Sequence, residues 1–181
     1  MTTQDTSGSA ATEAPPLPDA GPRGLGGWLI LPILGFVGTI LLTGWNLGEA
    51  LSAWNGLVAV ATAKSGPLVS AQLPMAMSLV AGLLVIASAA YCLYLIFARK
   101  RAIITFATAH YLILAAAGLL EWWGTGVLEQ TMPNMPPDPS AAREGVRGLV
   151  IAAIWIPYFQ LSQRVRNTFV NPAAPAGVAA E

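Results

Sequence analysis

A chain of 181 residues that is 55% hydrophobic and only 10% charged, with a mean hydropathy of +0.60, falls outside the range of ordinary soluble domains. Its lysines and arginines equal its acids in number, so it lacks the basic excess that a nucleic-acid partner would demand. A single histidine and a single cysteine exclude an intramolecular disulfide and any zinc site built from nitrogen and sulfur ligands, and no cofactor is expected.

The first 22 residues are rich in Thr, Ala, Pro, Ser and acids, show no periodicity and hold no Lys or Arg. Residues 1–23 therefore read as a flexible, polar tail. A cleaved secretory signal is not expected, because its basic start and short apolar core are missing before Arg23. The first span is expected at about residues 25–45, with Trp28 and Trp45 near its ends where amphipathic rings suit the headgroup level. Gly35, Gly38, Gly44 and Gly48 suggest a small-residue seam for close helix approach, although membrane helices carry more glycine in general. From Asn46 to Lys64, Leu47, Leu51, Trp54 and Val58 recur at helical spacing while Glu49, Asn55 and Thr62 fall elsewhere. That pattern fits an interfacial amphipathic helix or a prolongation of the first span. Ser65, Gly66 and Pro67 then break the chain.

The second span, about 74–97, is uncharged and contains Cys92 as a small packing residue. Arg99, Lys100 and Arg101 end it, and the third span, about 102–123, follows at once, so the two form an antiparallel hairpin. A polar connection is expected after Gly124, and the prolines between Met132 and Pro139 preclude a continuous helix there. Asp138 before Pro139 is a good helix start. The last helix is expected to run from Pro139 to about Arg166, crossing the membrane over about 146–163. Its apolar stretch, residues 148–163, spans roughly 24 Å at the helical rise, so Arg147, Arg164 and Arg166 must snorkel to reach the headgroups. Pro157 frees the carbonyl of Ala153 and invites a kink. Residues 170–181 read as a second flexible tail. The fold class is all-α: an integral membrane four-helix bundle over residues 24–169.

Four spans place both termini on one side. Arg23, Arg99, Lys100, Arg101, Arg164 and Arg166 then share that side, against Lys64, Arg143 and Arg147 on the other, which favours cytoplasmic termini.

Chemistry is sparse. His110 falls near mid-membrane on a stripe with Ala107, Leu114, Ala117 and Glu121, and ionisable groups at that depth are costly enough to suggest a proton or ion path. The plainer reading is a neutral imidazole hydrogen-bonded to a neighbouring helix. Arg143 and Arg147 stand one turn apart at the outer end of the last helix. They suggest either an interfacial ion pair involving Glu144, or a site for an anionic lipid headgroup or acidic partner. Trp155, Pro157 and Tyr158 are the further candidates for helix–helix contact. No HExxH, GxSxG or phosphate-binding glycine loop is present, so an enzyme is not expected.

These pieces together resemble the domain of unknown function 2569 family. The resemblance rests on GLGGWL at the first span, the RKR turn, and VRGLVIAAIWIPYF followed by SQRVRNTF. It implies four transmembrane helices in a bacterial inner membrane and implies no activity. The expected function is a non-catalytic interaction or accessory role exercised through the lipid bilayer, another membrane protein or self-association. The alternative is a small transporter or lipid- or ion-handling subunit using His110 and Glu121.

Overall fold

The computed structural model describes residues 27–132 and 139–170, and within them every element is helical. The expected tails at 1–23 and 171–181, the Gly24–Gly26 opening, and the Asp138 cap with its preceding prolines lie outside the described residues. A 3-10 turn, Gly27–Leu29, leads into α1 (Ile30–Ser52), followed by α2 (Trp54–Thr62), α3 (Leu68–Phe97), α4 (Ile103–Thr131) and α5 (Pro139–Leu161). A short α6 (Gln163–Val165) and a π-helical turn (Arg166–Val170) complete the described chain. Three helical segments, Gly27–Ser52, Leu68–Phe97 and Ile103–Thr131, are long and apolar enough to cross a membrane. The bent pair Ser140–Leu161 and Gln163–Phe169 makes a fourth if it counts as one span.

Helix ends depart from the hydropathy reading wherever polar residues satisfy themselves inside the helix. α1 continues past Trp45 to Ser52, whose hydroxyl donates to the Glu49 carbonyl at 2.6 Å. Of the two expectations for residues 46–64, the prolongation is seen as far as Ser52; beyond the irregular Ala53 a separate helix α2 follows, with no buried residue. The end of α2 is held from α3, where Gln72 Nε2 donates to the carbonyls of Val60 at 2.9 Å and Ala63 at 2.8 Å. That side chain satisfies carbonyls a helix terminus leaves open. α3 starts at Leu68 rather than near residue 74, with Pro74 absorbed in its early turns. The polar connection expected after Gly124 is helical instead. Thr125 and Thr131 donate back to the Glu121 and Val127 carbonyls, so neither competes for the backbone and α4 runs to Thr131.

The turn between α3 and α4 forms as the charges indicated. Lys100 N–H donates to Leu95 O at 3.0 Å and Arg99 N–H to Ile96 O at 3.1 Å, the doubled closure of a Schellman motif. Its left-handed position, φ 49°, is filled by Arg99 where glycine is usual. Lys100 Nζ donates to the Tyr94 hydroxyl at 3.1 Å, which holds the ammonium above its ordinary range.

The last helix also differs from expectation. α5 passes through Pro157 without ending, and the chain bends by 53° at Ser162 instead. Pro157 is exposed, so its ring lies on the outside of the bundle. Ser162 is extended, and its side chain caps α6 by accepting from Val165 N–H at 3.5 Å. The bend tucks Val165 and Phe169 under the bundle, where they join Leu29, Ile96 and Ile103 in the buried core.

Within a bilayer, apolar side chains gain little by leaving lipid, so packing decides which helices meet. The closest crossing is α4 on α5. A Cβ on Gly118 would lie 3.1 Å from Glu144 O and 3.2 Å from Gly145 Cα, and one on Gly148 would lie 3.2 Å from Ala115 Cα. Ala141, Gly145, Gly148 and Ala152, all buried, form this seam on α5. α3 meets α4 with Pro74 seated against Gly124, where a Cβ would approach the ring at 3.1 Å. The glycines expected to form a seam on α1 do not do so inside the chain. Nothing lies within 4 Å of a Cβ at Gly35, Gly38, Gly44 or Gly48. At about 100° per residue, moreover, the first pair and the second fall on opposite flanks of the helix.

Candidate functional site

At the centre of the bundle, α1, α3, α4 and α5 bring together an aromatic cluster around His110. Phe36 of α1 meets the imidazole edge-on at 5.0 Å between centroids, stacks on Tyr111 at 5.7 Å and reaches Phe159 at 6.4 Å. Tyr111 stacks in turn on Trp155 at 6.5 Å, and Tyr158 stands edge-on to Trp155 at 5.4 Å. Such offset and edge contacts are favourable for aromatic quadrupoles.

His110 is 1% exposed, and its Nδ1 lies 2.8 Å from Ser88 Oγ. Ser88 donates its own proton to the Val85 carbonyl at 3.0 Å, so its oxygen is free to accept, and this assigns the proton to Nδ1. Nε2 is then a bare acceptor, buried and unpartnered. A neutral histidine donating to a hydroxyl on another helix was the plainer of the two sequence readings. The pairing has a simple origin. Ser88 and His110 are equally far, eleven residues, from Arg99 at the hairpin turn, and Pro74 and Gly124 are equidistant from it too. A symmetric hairpin sets such pairs opposite one another.

The stripe through Ala107, His110, Leu114, Ala117 and Glu121 leaves the core as it rises. Ala107 and His110 are buried, Leu114 and Ala117 half-buried, and Glu121 exposed. The two side chains between histidine and glutamate carry no polar group, so protons have no relay between them on this stripe. Glu121 instead neighbours Glu144 beside the Gly118–Gly145 crossing. Glu144 pairs with Arg147 at 3.1 Å in an exposed ion pair, worth little by itself. Arg143, one turn away, is exposed and makes no ion pair among the described residues. Close by on α4, Leu119, Trp122, Trp123, Gly126, Val127 and Gln130 line an open groove of about 390 Å³.

Of the seven candidate residues, the structure joins His110, Trp155 and Tyr158 in the central cluster. It places Glu121, Arg143 and Arg147 at the opposite end from Arg164, and turns Pro157 outward. Sequence reasoning missed Phe36, Ser88, Tyr111 and Phe159. Phe159 carried a signal, one helical turn after Trp155; Phe36 carried none beyond lying in an apolar run. A further contact was missed where the chain enters and leaves the bundle. The Arg164 guanidinium lies over Gly27, with its Cζ 3.0 Å from where a Cβ would stand, and Gly27 has φ +64°. The glycine opening and the arginine-rich end, read separately in the sequence, meet here. Among the described residues no three of His, Cys, Asp and Glu come together to hold a metal ion.

The cluster makes a prediction. His110→Leu removes one hydrogen bond and one orphaned nitrogen while keeping most of the volume, and Ser88 retains the Val85 carbonyl. Its unfolding free energy in detergent is expected to stay within about 1 kcal/mol of wild type. His110→Ala leaves a cavity and is expected to lose about 2–4 kcal/mol. A loss in the leucine variant as large as in the alanine variant would show that the imidazole does more than pack.

Comparison with curated proteins and with solved structures brings up no match. Over residues 22–170, from before the Gly27 turn to the end of the π-helical turn, the chain matches the model of the family described as "Protein of unknown function (DUF2569)", and it belongs to that family.

Proposed function

We propose that this membrane protein is non-catalytic and acts as an interaction or accessory component, through contacts between its helices and another membrane protein or a second copy. We place it in a bacterial inner membrane with both termini in the cytoplasm, on the distribution of arginines about the spans and the membership of its family. The observation that carries the interaction reading is the outer face of α1. In its most apolar window only 17% of residues are buried, against 33% for α4. Leu31, Leu34, Gly38, Leu41 and Trp45 share a stripe facing away from Phe36, all partly or fully open, and Gly38 has empty space where a side chain would be. A helix facing lipid alone gains nothing from glycine, which costs helix propensity and bares the backbone. A helix facing another helix gains close approach.

The test is a pull-down of the tagged protein at native expression in a mild detergent. Gly38→Ile enters open space and leaves the fold intact, so loss of a stoichiometric membrane partner or second copy from this variant supports the reading. An unchanged set of co-purifying proteins, or none in wild type, defeats it. Orientation is read on the same preparation. A cysteine at Ser65, beside a buried and silent Cys92, is expected to react with an impermeant thiol reagent in intact spheroplasts. Protection there reverses the topology.

A further inference from the structure

Where α5 ends, two buried hydrogen-bond donors find no acceptor among the described residues. Arg164 Nε and Tyr158 Oη are both withdrawn from solvent, and neither makes a full hydrogen bond among the described residues. They are neighbours across the Ser162 bend, where the Ser162 hydroxyl stands within reach of the tyrosine oxygen without the geometry of a full hydrogen bond. Among the described residues no carboxylate pairs with Arg164, and the only ion pair there, Arg147 with Glu144, lies at the other end of α5. A partly buried guanidinium nitrogen left without an acceptor is costlier than an exposed one. The protein nonetheless builds the spot with care. The guanidinium lies close against Gly27, where φ +64° disfavours any other residue and a Cβ would make the arginine shift. Arg166, exposed, donates to the Gln160 carbonyl at 3.2 Å and keeps a second positive charge close by.

We propose that Arg164 and Tyr158 form a binding site for a phosphate oxyanion at the membrane surface, of the kind carried by an anionic phospholipid headgroup. The chemistry is one-sided: the two groups offer N–H and O–H donors, and phosphate oxygens only accept. Guanidinium and phosphate match in a bidentate fork that lysine would not reproduce. The depth also fits. The site sits just past the apolar length of α5 and beside Trp28, which is 70% exposed in the turn that carries Gly27, and an indole belongs at headgroup level. The proposal is independent of the α1 interface, and it lies at the opposite end of α5 from Arg143 and Arg147.

The experiment measures thermal unfolding of the delipidated protein in neutral detergent, by tryptophan fluorescence, against added phosphatidylglycerol, phosphatidylcholine or inorganic phosphate. Wild type is expected to be stabilised by phosphatidylglycerol well beyond phosphatidylcholine, whose phosphate is the same but whose choline cation is repelled by Arg164 and Arg166. Arg164→Gln is expected to weaken the apparent affinity for phosphatidylglycerol about tenfold or more, and Arg143→Gln to leave it unchanged. Tyr158→Phe, which deletes a single oxygen and leaves the ring packing alone, is expected to weaken it several-fold. It stands as the test by itself if Arg164→Gln does not fold. Stabilisation by inorganic phosphate but not by the lipid, lost in the same variants, supports the site with a soluble phosphate as its source. Equal response to both lipids with no effect of inorganic phosphate, or full response in both variants, overturns it.

Discussion

Gly145→Val is expected to disrupt the bundle at its tightest crossing, with a loss of about 3 kcal/mol or more in unfolding free energy, or no folded protein recovered at all. The alanine-sized part of that side chain alone would stand 3.2 Å from the Gly118 carbonyl oxygen and 3.7 Å from Trp122 Cβ. The nearest obstacle is backbone, which cannot swing aside as a side chain can, so α4 and α5 must separate along their whole seam. Separation would also undo the contacts of Gly148 with Ala115. The comparison that gives the experiment its meaning is Gly35→Val, where the new side chain meets open space. That variant is expected to unfold within about 0.5 kcal/mol of wild type. Reversible unfolding in mixed micelles distinguishes them, and similar losses for the two would show that helix propensity, not close packing, sets the cost.

Phe36→Ala is expected to be the second large loss, about 3–5 kcal/mol. Phe36 is fully buried and touches the rings of His110, Tyr111 and Phe159, so it is the aromatic that ties α1 to α4 and α5. Little else on α1 is buried: Pro32 within the helix and Leu29 just before it. The variant is therefore expected to release α1 before the rest unfolds. Limited proteolysis would show cleavage near Ala53 at denaturant levels where the α3–α4 hairpin remains protected. A single cooperative transition with no early cleavage would mean that α1 is held by contacts other than this ring.

The existence of the helices was legible because a run of twenty apolar residues has few alternatives, and the hairpin turn because three cations in succession cannot stay in hydrocarbon. Their ends were less so. Asn46, Glu49, Thr125 and Glu129 lower hydropathy without stopping a helix, since helices project into water at no cost to their backbone bonds. The bend was placed at Pro157, the residue that cannot donate, when it occurs at Ser162, whose side chain offers the next helix an acceptor. The Ser88–His110 pair was within reach of counting outward from Arg99. The α4–α5 seam was not read from the sequence, although Ala141, Gly145, Gly148 and Ala152 mark it as small residues whose spacing alternates four and three. By contrast, no periodicity joins Gly27 to Arg164, because that contact depends on the angle of the bend.

The symmetric hairpin has one consequence for how the molecule sits. With 30 and 29 residues, α3 and α4 are each about 44 Å long, against a hydrocarbon layer of roughly 30 Å. Their shared turn is pinned to one surface by Arg99, Lys100 and Arg101, and a typical tilt shortens them by only a few ångströms. The surplus therefore emerges on the far side, as some two turns of paired helix carrying Gln130, Thr131 and the clamped end of α2. On that side the protein presents rigid helical relief to the water, and on the other the short hairpin turn beside the bent end of α5.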